Sequence, residues 1–226
     1  MRSRSSAGLA GLAIVVVLAL AGCSGSDSDD GTASDPAPTS GTSCTYTEGG
    51  SAAKEVDPPP ATATATGQVP VTISTSVGDL EAELDADATP CTVNSFVSLA
   101  EQGYFDGTSC HRLTTSGIAV LQCGDPTGSG SGGPGYSFPD ELTGEETYPA
   151  GTLAMANAGP DTNGSQFFVV YGDTALPPSY TVFGHIDDAG VKVVSKVAEA
   201  GTDDAYGAGD GHPKTPVDIT TVTVAN

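Results

Sequence analysis

A mainly β domain, with an antiparallel sheet closed into a barrel and plugged at its ends by two helices, is the fold class this sequence predicts. Three observations lead there. Short alternating or apolar runs of strand length recur from about Val69 to the end of the chain, only two stretches carry apolar residues at helical spacing, and turn-rich segments with neither pattern lie between them.

The elements follow in order. VTISTSVGDLEAELD (71–85) is two alternating runs, and Gly78-Asp79 between them is a hairpin signal. Thr89-Pro90 predicts a helix start, with Thr89 as cap and Pro90 at the first position; Val93, Phe96, Val97 and Ala100 recur at helical spacing until Gly103. Strands are expected around CHRL (110–113) and AVLQ (119–122), then a long turn-rich loop, then TLAMA (152–156), FFVVY (167–171) and TVFGHI (181–186). A second helix is expected over 189–200 with Val191, Val194 and Val197 on one face, and VDITTVTV (217–224) closes the domain.

Ahead of this domain the chain reads differently. Arg2 and Arg4 precede an apolar run, GLAGLAIVVVLALAG, that ends in Leu20-Ala21-Gly22-Cys23. A short basic region before an apolar stretch is the pattern of an export signal, and its ending resembles the lipobox of bacterial lipoproteins, in which the cysteine becomes a lipid-bearing N-terminus. The expectation is a signal over 1–22, lipid on Cys23, an acidic and proline-rich tether through residue 69, and a folded domain over 70–226. The mature protein would then face the outside of the cell membrane. Ser24 to Ser43 is too poor in apolar groups to offset the entropy of ordering, Cys44 to Val56 is ambiguous, and DPPPATATATG is linker-like.

The chain carries 28 acidic against 7 basic residues, a formal net charge of −21. Nucleic acid would be repelled, so it is excluded as a partner. Apart from Cys23 there remain Cys44, Cys91, Cys110 and Cys123, an even set that in an oxidising compartment predicts two bridges in one of three connectivities. Strand parity sets Cys110 on the face of Arg112 and Cys123 opposite Gln122, a reason for caution over joining those two, and the connectivity stays open. No close cysteine pairs suit zinc, and His111, His185 and His212 lack metal spacing. The run GSGSGG (128–133) matches a phosphate-binding pattern by letter, but Pro134 and the lack of a following helix make it a flexible surface loop. No G-x-S-x-G elbow offers a serine nucleophile.

One constellation stands apart: Arg112 on one strand, Gln122 on the next, and MANAGPDTNGSQFF (155–168), a polar, glycine-broken turn between two buried strands. Singly, Arg112 reads as a surface ion-pair partner, Phe168 as core and Asn157 as a turn former. Together and in order, HRL, QCGDPTGSGSGGPGY, MANAGPDTNGSQFF and TVFG resemble the signature blocks of cyclophilin-type peptidyl-prolyl cis-trans isomerases, across nearly all of 70–226.

The resemblance implies a closed eight-stranded antiparallel barrel capped by two helices, and a groove that takes an extended proline peptide. It implies Arg112, Gln122, Asn157 and Gln166 as the catalytic set: Arg112 donating to the prolyl nitrogen, the two glutamines holding the guanidinium and the substrate carbonyl, and Asn157 pairing with the peptide main chain. Ala119, Val120, Ala156, Ala158, Phe168, Leu176 and Tyr180 would bind the substrate. Ala119 stands where the family usually has an aromatic, Ala175 where eukaryotic members often have tryptophan, and Tyr180 where many have histidine. No cofactor or metal is implied. The expected partners are proline-containing peptides and unfolded exported proteins, met by a monomer. A proline-peptide-binding chaperone module with weak or no isomerase activity is the alternative, and Ala119 is the feature that sustains it.

Overall fold

The computed structural model describes residues 41–225. The lipobox-like ending at Cys23 and the segment through residue 40 lie outside the described residues. An N-terminal strap comes first, with β1 (Thr42–Ser43), β2 (Thr47–Glu48) and β3 (Thr62–Ala63). Then follow β4 (Gln68–Thr75), β5 (Gly78–Asp85), α1 (Pro90–Glu101), β6 (Thr108–Ser109), β7 (Arg112–Thr114) and β8 (Val120–Cys123). The rest comprises β9 (Tyr136–Ser137), β10 (Thr152–Met155), β11 (Phe167–Val170), β12 (Val182–Ile186), α2 (Asp188–Glu199), β13 (Asp210–Gly211) and β14 (Asp218–Val224).

One ten-stranded sheet runs β13-β7-β8-β11-β10-β12-β5-β4-β14-β6, and every pairing in it is antiparallel. The strand count therefore differs from the expected eight: eight strands of three or more residues carry a two-residue strand at either end of the order. The sheet is strongly curled, and covalent continuity shows why. Only Cys110 and His111 separate β6, at one end, from β7, next to the other, a reach of at most about 11 Å. At this seam Cys110 N donates to Val217 O at 2.8 Å, next to a ladder that ends rather than closes.

Inside the curl, α1 lays Val93, Phe96, Leu99 and Ala100 against the sheet. The Phe96 ring lies 5.0 Å from Phe105, 5.5 Å from Phe167 and 5.3 Å from Phe183. Each such side chain contributes roughly 2 to 3 kcal/mol by leaving water. Leu99, absent from the predicted face, is fully buried, and Val97 only partly. The helix is not capped by the Thr89 side chain, whose Oγ1 instead donates to Asp85 O. Glu141 takes that part, accepting from Cys91 N at 3.0 Å, Thr92 N at 2.8 Å and Thr92 Oγ1 at 2.7 Å. A carboxylate there also suits the positive end of the helix. Asp187 caps α2 by accepting from Gly190 N at 2.7 Å. The first hairpin turns on Ser76 and Val77, two residues before the expected Gly78-Asp79, and Gly78 opens β5.

The strap is the main departure from the linker reading of residues 44–67. Cys44 is bridged to Cys91 on α1, with Cα atoms 5.4 Å apart. Tyr46 Oη donates to Cys91 O at 2.8 Å, Asp57 N to Gln102 Oε1 at 2.7 Å, and Asn94 Nδ2 to Pro60 O at 2.8 Å. Lys54 Nζ donates to Gly103 O at the end of α1. Gly49 N and Ala53 N donate to Gly135 O and Gly133 O at 2.9 and 2.8 Å, so the strap also pairs with the glycine-rich loop. Its composition reads as linker because each of these partners is distant in sequence.

The second bridge joins Cys110 to Cys123, Cα atoms 4.0 Å apart. Parity does not forbid it: Cys110 lies before β7 begins, outside the ladder whose alternation the argument assumed.

Candidate active site

Arg112 and Gln122 are direct register partners across β7 and β8, and Gln122 faces Phe168 across β8 and β11. Side chains directly opposite in adjacent strands share a face, so three residues widely separated in sequence meet on one surface. That surface holds a niche of about 150 Å³ lined by Arg112, Val120, Gln122, Phe168, Leu176 and Tyr180, with Ile118, Ala156 and Asn157 completing it. The Phe168 ring, 5% exposed, stands edge-on to Tyr180 with centroids 5.5 Å apart, and Tyr148 lies behind both at 6.4 and 6.2 Å. Tyr148 Oη donates to Tyr180 O at 3.1 Å, which fixes the rim segment that carries Tyr180.

Ala119 does not line the niche. Its main chain is bonded at both ends, N to Thr174 Oγ1 at 2.9 Å and O from Tyr171 N at 3.0 Å, and its neighbours Ile118 and Val120 take the niche positions. Strand alternation explains the correction, since a residue flanked by two niche-facing side chains must point away from them. Ala158 lies outside the niche as well; it lines a larger adjoining cavity, and its N–H is taken, donating to Thr162 Oγ1 at 2.8 Å.

That second cavity, about 650 Å³, shares Gln122, Ala156 and Asn157 with the niche. Its remaining wall is rich in glycine, with Gly130 to Gly135 and Gly49 to Ser51 of the strap contributing alongside Tyr136, Thr162 and Gln166. The glycine-rich loop is tied down and not free as expected. Asp125, fully buried, accepts from Thr127 N and Oγ1 at 2.7 Å each and from Gly132 N at 3.0 Å. Burial would raise its carboxyl, but these bonds outweigh burial and hold it below the usual carboxylate range. Gln166 Nε2 donates to Gly130 O and Gly132 O at 3.0 and 2.9 Å, while its Oε1 accepts from Gln122 Nε2 at 2.9 Å.

The glutamines thus bind each other and the loop, not the guanidinium. Arg112 is held by Asp210, a residue the sequence reading missed: Nε donates to Oδ1 at 2.8 Å and Nη2 to Oδ2 at 2.7 Å. These bonds raise the arginine pKa above its ordinary value, so the group stays cationic with its side chain 37% exposed to the groove. No local pattern links residues 112 and 210; only the pairing of β13 with β7 brings them together. Asn157 Nδ2 donates to Ser179 O at 2.9 Å and Oδ1 accepts from Gly159 N at 3.3 Å, so this side chain braces the two rims of the groove. His111, next to Arg112, is 4% exposed with both ring nitrogens unpartnered, and burial lowers its pKa. His185 pairs with Glu83 at 3.6 Å and His212 with Asp203 at 2.9 Å.

A probable peptidyl-prolyl cis-trans isomerase B of Mycobacterium tuberculosis is 55% identical over 158 residues, 64% of this chain and 51% of that protein. Its Mycobacterium leprae counterpart is 51% identical over 155 residues, 63% of this chain and 52% of that protein. The chain therefore spans about half the length of these curated relatives. Among solved structures, a cyclophilin-type isomerase of Cryptosporidium parvum matches with a TM-score of 0.61 at 32% identity, covering 70% of this chain and 98% of its own. The same protein studied in the presence of the dipeptide Ala-Pro matches with a TM-score of 0.60 at 32% identity, covering 70% of this chain and 99% of its own. The family model for cyclophilin type peptidyl-prolyl cis-trans isomerases matches residues 70–224, the span that builds the curled sheet, both helices and the niche, and the chain belongs to that family.

Proposed function

We propose that this protein accelerates cis-trans isomerisation of X-Pro bonds, and that the niche beside Arg112 takes the proline ring. The observation that carries this reading is the joining of one cationic, multiply donating side chain to an apolar niche on an open surface. Partial double-bond character sets a barrier near 20 kcal/mol for turning the bond, so the uncatalysed process takes tens of seconds or more. In the twisted state the prolyl nitrogen becomes pyramidal and its lone pair can accept a hydrogen bond that neither planar isomer can take. A guanidinium N–H that donates there favours the bent midpoint over both end states. A hydrogen bond to a charged group contributes about 1.5 to 3 kcal/mol, which converts to roughly ten- to a hundredfold in rate. The remainder would come from Val120, Phe168, Leu176 and Tyr180 holding the ring while the groove around it holds the flanking peptide.

The wider setting belongs to the same proposal. Export, lipid attachment at Cys23 and action on unfolded proteins outside the cell membrane rest on the basic-apolar leader with its Leu-Ala-Gly-Cys ending. The two bridges among the described residues suit an oxidising compartment. A role limited to peptide binding is the second reading, and it rests on the absence of an aromatic from the segment before β8, where Ile118 and Val120 line the niche.

Relaxation of a cis-enriched X-Pro peptide decides the matter. With wild-type protein the rate rises well above background, and Arg112→Ala lowers kcat/KM by about ten- to a hundredfold. No acceleration by the wild type overturns the isomerase reading, and an unchanged rate in the variant overturns the role of Arg112.

A further inference from the structure

The Arg112 side chain is over a third exposed, so packing alone does not fix it. A long side chain of this kind has many rotamers to lose, and a donor that must act only in the twisted state gains most by being in place beforehand. The Asp210 carboxylate meets the guanidinium with two parallel bonds of 2.8 and 2.7 Å, which constrain the plane of the group as well as its position. Of five N–H donors this grip uses two and leaves three for the niche that Arg112 lines.

Asp210 is itself set by its loop. The main chain of β13 pairs with Leu113 and Thr114 of β7, and Thr115 N donates to Gly209 O at 2.7 Å. Asp204 Oδ1 accepts from Gly209 N at 2.7 Å and Asp203 Oδ1 from His212 N at 2.7 Å, one on each side of Asp210. The flanking glycines allow this approach: Gly209 has φ 75° and a Cβ there would lie 2.7 Å from Ser116 Cβ, while one on Gly211 would lie 2.2 Å from Asp203 Oδ1. The Asp210 side chain takes no part in these loop bonds and is spent on Arg112.

We propose that Asp210 is a positioning residue of the isomerase site, holding the Arg112 guanidinium plane in the orientation from which its free N–H groups reach the prolyl nitrogen. This rests on the isomerase reading above. The competing possibility is a lock, in which the carboxylate draws the guanidinium away from substrate and must release it.

Kinetics of Asp210→Asn, Asp210→Glu, Arg112→Ala and the Arg112→Ala/Asp210→Asn double variant separate these roles, read as kcat and as independently titrated affinity for a proline peptide. Asp210→Asn keeps the side-chain size and is expected to lower kcat about tenfold with peptide affinity changed less than twofold. Asp210→Glu restores part of the rate. In the Arg112→Ala background Asp210→Asn has no further effect, whereas a merely structural role would slow both backgrounds alike. An unchanged or raised kcat in Asp210→Asn overturns the proposal, as does an equal loss in both backgrounds. An inactive wild type sinks the isomerase reading instead, and a fully active Arg112→Ala overturns the role of Arg112 and the Asp210 proposal with it while leaving the isomerase reading standing, so the failures are told apart.

Discussion

The niche and the larger cavity beside it share Gln122, Ala156 and Asn157, yet they are made in opposite ways. The niche is a product of strand alternation: Val120, Gln122 and Phe168 face it because β8 and β11 place every second side chain on one surface. Its apolar wall, Ile118, Val120, Phe168, Leu176 and Tyr180 braced by Tyr148, stands beside the polar Arg112, Gln122 and Asn157. The cavity is a product of loops, its wall rich in glycine, held by Asp125 and Gln166 and flanked by a strap from before the family domain. Side-chain walls tolerate little substitution in place. Glycine-rich walls depend on distant anchors.

The largest effect expected on this contrast is at the niche. Phe168→Ala removes a buried ring that touches Tyr148 and Tyr180, and should cost about 3 to 5 kcal/mol of stability together with more than tenfold in kcat/KM. Denaturant unfolding and peptide relaxation measure the two losses. A variant that is fully active would show that the ring pocket is not the proline site.

Next in size is the strap. Replacing both Cys44 and Cys91 by serine opens the link to α1 and should lower stability by about 2 to 4 kcal/mol. Because Gly49 to Ser51 line only the larger cavity, affinity for a minimal X-Pro dipeptide should hold while affinity for longer peptides falls. Equal losses for both peptides would show that the two cavities are not independent.

A smaller effect comes from acid. His111 is buried with a lowered pKa, through burial first, with Asp125 opposing and Arg112 and His212 adding to the depression. The unfolded chain therefore takes up this proton more readily than the folded one, and the stability from the neutral ring is complete above about pH 6.5. Stability should fall as the pH drops from there toward the lowered folded value, at no more than about 1.4 kcal/mol per pH unit. A Cβ on Gly130 would lie 3.5 Å from the His111 ring, so the cavity wall should loosen before the niche does. Urea melts from pH 7 to 5 on wild type and His111→Phe test this: the variant should lose the slope, and an equal slope would assign it to other groups.

Smallest is the change at Ala119. Ala119→Ser should alter peptide turnover less than twofold, whereas Ile118→Ala, on the niche side of the same segment, should lower it by severalfold. The reverse order would mean that the segment before β8 presents its other face to substrate.

Much of the site was legible from residue patterns. Arg112, Val120, Gln122, Ala156, Asn157, Phe168, Leu176 and Tyr180 do line one niche, and the motif turn between TLAMA and FFVVY does form its edge. Ala119 was misassigned because the segment between Arg112 and Gln122 leaves the alternation of β7 and resumes it only at β8, so counting back from Gln122 was needed. The resemblance gave the glutamines to the guanidinium and the substrate carbonyl, but their amides are engaged by each other and by the loop carbonyls.

The sequence by itself determined the alternating strands, the two amphipathic helices and the family, because each is written in spacings of a few residues. Tertiary structure decided the rest: Glu141 capping α1 at Cys91, 50 residues earlier, the strap's lysine on the end of α1, the choice of cysteine partners, and Asp210 gripping an arginine 98 positions away. Those contacts are isolated pairings between distant residues brought together by chain topology. A single pairing of this kind repeats with no period, and so it leaves no local pattern in the order of the amino acids.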